Sequence, residues 1–178
     1  MYLLGHLGLG LLAGALMVGL RPGRRTTVAA SLPVVFAVAP DVDLYLAGIP
    51  HRGITHTVWA ALGLGVALAV VAGVAARRPG VERSAEPLPP FVGGSVAVLV
   101  HLLGDVITPM GLRPLYPLVG TAYSLDLVAA RDPTANLALL TAGCLAFGVV
   151  LWRDRRLWVP TVRALPARRD AAEIDRSA

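Results

Sequence analysis

Five apolar runs dominate this chain and leave it few ways to fold. They cover about residues 1–20, 26–39, 57–76, 91–107 and 134–152. A helix of roughly 20 apolar residues crosses the hydrocarbon core of a bilayer. In lipid a spanning segment must satisfy its own backbone, which a helix does. The expected fold is therefore all-α, a polytopic membrane helical bundle of about five membrane segments. The second run, 26–39, is short for a full span. It is expected to be a tilted span, a re-entrant helix, or a helix whose polar end is buried in the bundle. Composition agrees with a membrane protein: 56% of residues are hydrophobic and only 15% charged, against roughly 25% charged in ordinary soluble domains. The expected organisation is one bundle, 1–152, and an arginine-rich cytoplasmic tail, 153–178, without a sizeable soluble domain.

The net charge of +5 belongs entirely to arginine, since none of the sixteen basic residues is lysine. These arginines sit in the connections and the tail without aromatic interleaving. They suit anionic lipid headgroups better than nucleic acid, so membrane lipids are the expected partners and no nucleic acid is expected. No positive charge precedes the first apolar run, which argues for a retained helix rather than a cleaved signal peptide. With the N-terminus outside and five crossings, thirteen arginines fall on the cytoplasmic side. Only Arg52, Arg113 and Arg131 fall outside. The positive-inside rule favours this orientation, which makes the chain a multi-pass cell membrane protein with a cytoplasmic C-terminus. The single Cys144 offers neither a disulfide framework nor a thiolate metal site, and it reads as a small buried hydrophobe.

Two polar islands interrupt this apolar pattern. One runs Pro40-Asp41-Val42-Asp43 and then His51-Arg52-Gly53-Ile54-Thr55-His56. The other is His101-Leu102-Leu103-Gly104-Asp105, followed by Thr108-Pro109-Met110-Gly111. Three of the four histidines lie in them, and the fourth, His6, interrupts the first run. Ionisable groups at membrane depth are costly to desolvate and are functional by default. Under the topology above, all of them and Asn136 gather at the extracytoplasmic end. His101 and Asp105 are four apart and share a helix face, with Gly104 beside them allowing close approach. Asp41 and Asp43 follow a proline, where non-helical backbone is expected to aim both carboxylates at one point. The expectation is a metal site drawn from His6, Asp41, Asp43, His51, His56, His101 and Asp105. Imidazole and carboxylate without thiolate suit Zn, Mn or Fe, and the donors suffice for one or two ions.

Each of these residues also has a plainer reading. A lone histidine in an apolar helix is often structural, Asp41 could cap a helix, and Thr55 and Thr108 read as caps or supporting hydrogen-bonders. Arg52 is a solvated loop charge, an anchor for one of the carboxylates, or a bidentate phosphate binder.

The order of Gly5-His6, Pro40-Asp41-Val42-Asp43, the HRGITH stretch and His101-x-x-x-Asp105-x-x-Thr108-Pro109-x-Gly111 resembles the YdjM-like family of membrane proteins assigned as metal-dependent hydrolases. The resemblance covers roughly residues 1–140. It implies a membrane-bound hydrolase with those seven residues as motif positions, and it leaves the substrate open.

Metal-activated water is then the expected nucleophile. Asp43 or Asp105 is the expected general base, and Arg52 would stabilise developing negative charge. A site at the lipid–water boundary favours an amphiphilic phosphate or acyl ester. The alternative is a non-catalytic metal-binding membrane protein, a transporter or scaffold.

Overall fold

The structure is a computed structural model and describes residues 1–22, 24–77 and 87–153. Six α-helices and two 3-10 helices make up its regular elements: α1 (Leu3–Leu20), α2 (Arg24–Ala29), α3 (Ser31–Phe36), a 3-10 helix Ala39–Tyr45, a shorter one Ile54–His56, α4 (Val58–Ala75), α5 (Leu88–Val106) and α6 (Pro133–Arg153). Among the described residues, five stretches are long and apolar enough to cross a membrane: α1, Thr26–Tyr45, α4, α5 and α6. The all-helical bundle expected from the sequence is the fold observed.

The second span is assembled from pieces. The short run at 26–39 gains its length from the 3-10 helix Ala39–Tyr45, so the stretch Thr26–Tyr45 reaches 20 residues. The sequence reading ended the segment at Pro40, but the helical path passes through it. A proline at the start of a helix gives up only an N–H that would lack an intrahelical partner anyway. Asp41 and Asp43 therefore lie on helical backbone rather than on an irregular loop.

Close helix packing comes from small residues. α1 lies against α3, α5 and α6, and α4 packs on α5. A Cβ at Gly8 would run into the backbone of Leu139, and one at Gly143 into the Gly8 carbonyl. These two glycines let α1 and α6 touch backbone to backbone. The Gly10 and Gly14 pair faces the Pro33 and Ala30 carbonyls and receives the second span.

The burial pattern is inverted relative to a soluble domain. Many leucines and valines on the helices are exposed, while His6, His56 and His101 are among the largest fully buried side chains. Asp43, Arg52, Asp105, Thr108 and Asn136 are buried too. This is the arrangement expected where the surroundings are apolar and the interior carries the polar groups. Cys144, expected to be buried, is exposed on α6 instead, because α6 turns only one narrow side to its neighbours and the rest is exposed.

A loop punctuated by Pro109, Pro114 and Pro117 fills 107–132. It is tied down at its start by Leu125 N–H on Val106 O (2.7 Å) and Leu127 N–H on Ile107 O (2.9 Å). Val58 N–H donates to Pro114 O at 2.9 Å and so fastens the loop to the start of α4. An isolated bridge joins Leu112 and Tyr123. The connection between the third and fourth apolar runs, read from the sequence as lasting to residue 90, stops earlier, since α5 already begins at Leu88. The rest of that connection and the tail beyond Arg153 lie outside the described residues.

Candidate metal centre

The start of α1, the end of the second span, the start of α4, the end of α5 and the start of α6 meet at one end of the bundle. All seven candidate ligands and Arg52 are found there. Among the described residues, three groups could hold an ion: His6, His101 and Asp105; Asp41, His56 and His101; Asp43, His51 and His56.

Hydrogen bonds decide which ring nitrogens are free. His101 Nδ1 lies 2.7 Å from the Ala37 carbonyl, which can only accept. The proton is thereby assigned to Nδ1, and Nε2 keeps its lone pair. Pro40 explains why that carbonyl is free, because it has no N–H to offer three residues further on. His56 Nδ1 lies 3.0 Å from Thr55 Oγ1 and 3.1 Å from Asp43 Oδ2. Thr55 gives its own hydroxyl proton to Asp43 Oδ2 at 2.6 Å, so its oxygen accepts from His56 Nδ1. His56 Nε2 is therefore also a lone pair.

These two lone pairs face each other. His56 Nε2 and His101 Nε2 are 3.0 Å apart. Asp41 Oδ1 lies 3.4 Å from the first and 3.5 Å from the second. Asp105 Oδ2 lies 3.4 and 3.5 Å from the same two atoms. A tetrahedral ion with bonds of about 2.0–2.1 Å has donor–donor edges of about 3.3–3.4 Å. The five edges observed, 3.0–3.5 Å, bracket that value.

A proton shared between the two imidazoles is the plain alternative. It would satisfy that pair and leave other buried atoms unexplained. Asp105 Oδ2 and both ring nitrogens of His6 have no hydrogen-bond partner among the described residues. Each such atom costs about 1–3 kcal/mol if left unsatisfied. His6 stacks on His101 with ring centroids 3.8 Å apart, and its Nε2 lies 3.5 Å from Asp105 Oδ1 without hydrogen-bond geometry. A cation among these atoms satisfies Asp105 Oδ2 and one ring nitrogen of His6 together, so the residues fit a metal.

The remaining residues support the centre from behind. Asp43 Oδ1 meets His51 Nδ1 at 2.8 Å, and Oδ2 takes the Thr55 hydroxyl and the Arg52 N–H (3.2 Å). Residues two apart on a 3-10 helix point to different sides. Asp41 and Asp43 accordingly sit on either side of His56 instead of converging on one point. Arg52 is only 8% exposed, which removes the solvated-charge reading. It donates through Nη2 to Asp105 Oδ1 (2.7 Å) and through Nη1 to Gly111 O (2.6 Å) and Thr108 Oγ1 (3.3 Å). Of the readings open to it, anchoring a carboxylate is the one observed. Asp105 Oδ1 also accepts from the Met1 amine at 2.5 Å. The carbonyls of Ala37 and Gly111 are parts of the site that side-chain motifs do not announce. Pro40 and Gly111 itself, a glycine whose φ is positive (61°), are their sequence signals.

Residues 1–167 match the family model described as YdjM inner membrane protein. The chain belongs to that family. No curated protein and no solved structure gives a match. The stretch matched by the YdjM inner membrane protein model contains every residue of the centre, and an inner membrane family agrees with the five apolar spans.

Proposed function

We propose that this chain is a membrane-embedded hydrolase using one divalent metal ion. His56, His101 and Asp105 would hold it, with Asp41 at its open side and His6 beside them as a further donor. The observation that carries this reading is the pair of imidazole lone pairs 3.0 Å apart between two carboxylates. The donor set suits Zn, Mn or Fe. One ion is favoured over two because the donors of the peripheral group are already used. Asp43 orients His51 and His56, and His56 Nδ1 carries a proton. When bound, such an ion supplies Lewis acidity, which polarises an ester oxygen and makes water nucleophilic near neutral pH.

Catalysis rather than mere structure is supported by access. Structural metal sites are closed, whereas catalytic ones keep an open side. Asp41 is about a quarter exposed, at 23%, and lines a cavity of about 680 Å³ together with His51 and Arg52. Its carboxylate stands where substrate and centre meet, and the geometry favours it as proton acceptor over Asp43 and Asp105. Asp43 holds the His56 ring in its tautomer, as carboxylates behind metal-binding histidines do. Arg52 fixes Asp105 and keeps an Nε–H without a partner among the described residues. Arg52 also lines the cavity, from where its positive charge would stabilise charge developing on a substrate. The arginine distribution supports an extracytoplasmic location for this end of the bundle.

The test is a hydrolysis assay on purified protein with phosphate-ester and acyl-ester substrates, with chelation and metal add-back. Activity is expected only in the metal-loaded protein, and Asp41→Asn should abolish it while keeping the fold. A metal-loaded protein that cleaves neither class would favour the non-catalytic metal-binding alternative.

A further inference from the structure

Resting on the hydrolase reading, we infer that the 680 Å³ cavity binds an amphiphile with a phosphate-ester head rather than a neutral acyl ester. Three observations lead there. The cavity is of ordinary ligand size, and most of its wall is apolar, including Leu3, Val38, Val42, Leu44 and Met110. Its ionisable groups include Asp41, His51, Arg52 and Arg131, with Tyr2 and Tyr45 also in the wall, so the same cavity offers partners for a headgroup and apolar surface for a hydrocarbon chain.

The second observation concerns charge. Arg131 lines the cavity and stacks over the Tyr2 ring at 5.8 Å, and it pairs with no carboxylate among the described residues. Arg52 adds a buried Nε–H without a partner. Two guanidinium groups in the wall of one cavity select an anion, and a planar fork suits phosphate in particular. Asp41 opposes an anion only while its charge is uncompensated, and a divalent ion at the centre removes that penalty.

The third observation is where the arginines are. By sequence, thirteen of sixteen fall in the connections at 21–25 and 77–90 and in the stretch from 153 on, and Arg52, Arg113 and Arg131 are the exceptions. All three line cavities. Arg113 lines a second one, of about 320 Å³, which shares His51, Arg52 and Met110 with the first. Arginines retained against the charge bias of the chain are thus concentrated around the centre.

The experiment uses three probes on the full-length protein in detergent: dioctanoylglycerol phosphate, dioctanoylglycerol and glycerol phosphate. Metal content is measured on the same samples. The lipid phosphate is expected to bind at least tenfold more tightly than either the chain alone or the head alone. Arg131→Glu should weaken the lipid phosphate about tenfold or more, with Arg131→Gln intermediate, leaving metal content and melting temperature unchanged. Equal binding of dioctanoylglycerol, equal binding of glycerol phosphate, or an unaffected Arg131→Glu variant would each overturn the inference. Retained metal without charge-selective binding defeats this inference alone. Charge-selective binding to a wild-type protein that holds no metal defeats only the metal reading.

Discussion

At the scale of single residues, the centre divides into donors that face inward and groups that hold them. His56 and His101 present Nε2 because the Thr55–Asp43 pair and the Ala37 carbonyl fix their tautomers. His51 is about a third exposed and spends Nδ1 on Asp43. His101→Ala and His56→Ala should therefore abolish metal binding, whereas His51→Ala should lower affinity only about 10–100-fold, as removal of a supporting group does. Metal titration of the three variants checks this, and equal loss in all three would put His51 among the ligands. Arg52→Lys should also cost about 10–100-fold in metal affinity, because one ammonium cannot hold Asp105, Thr108 and Gly111 together. Unchanged affinity in competition with a chelator would return Arg52 to a role towards substrate alone. The sequence named all eight side chains, because charged groups in apolar runs are costly and few. It could not rank them, since ligand and support use the same residue types and differ only in which atom faces inward.

At the scale of elements, the site depends on how α1 is held. Its first N–H groups have no cap of their own. Asn136 of α6 supplies one across the interface, accepting from Tyr2 N–H and Gly5 N–H at 3.2 Å and donating to the Ala130 and Asp132 carbonyls. His6 lies one residue further along this helix. Asn136→Ala should cost about 1–3 kcal/mol, the penalty for buried donors left unpaired. It should lower the melting temperature more than an exposed substitution such as Leu145→Ala does. Gly104 sets the other side of His6, since a Cβ there would lie 2.9 Å from its Nδ1. The sequence made α1, α4, α5 and α6 legible through length and apolarity. It misread 39–45, because a proline is a stop inside a helix and a tolerated start at the head of one, and only the packed chain distinguishes the two.

At the scale of the whole molecule, five antiparallel spans bring every ionisable group of the centre to one end. Reporter fusions after residue 25, 85 or 160 should report the cytoplasm, and fusions near 48 and 120 the opposite side. Fusions at 48 and 85 reporting the same side would mean that α4 does not cross, and the convergence would lose its basis. The direct measurement is metal analysis of the wild-type protein purified without chelator, alongside His101→Ala and Asp105→Ala. About one Zn, Mn or Fe per chain is expected in the wild type, and close to none in either variant. A well-folded wild type without metal, or variants that retain it in full, would contradict the assignment of this cluster as a metal centre.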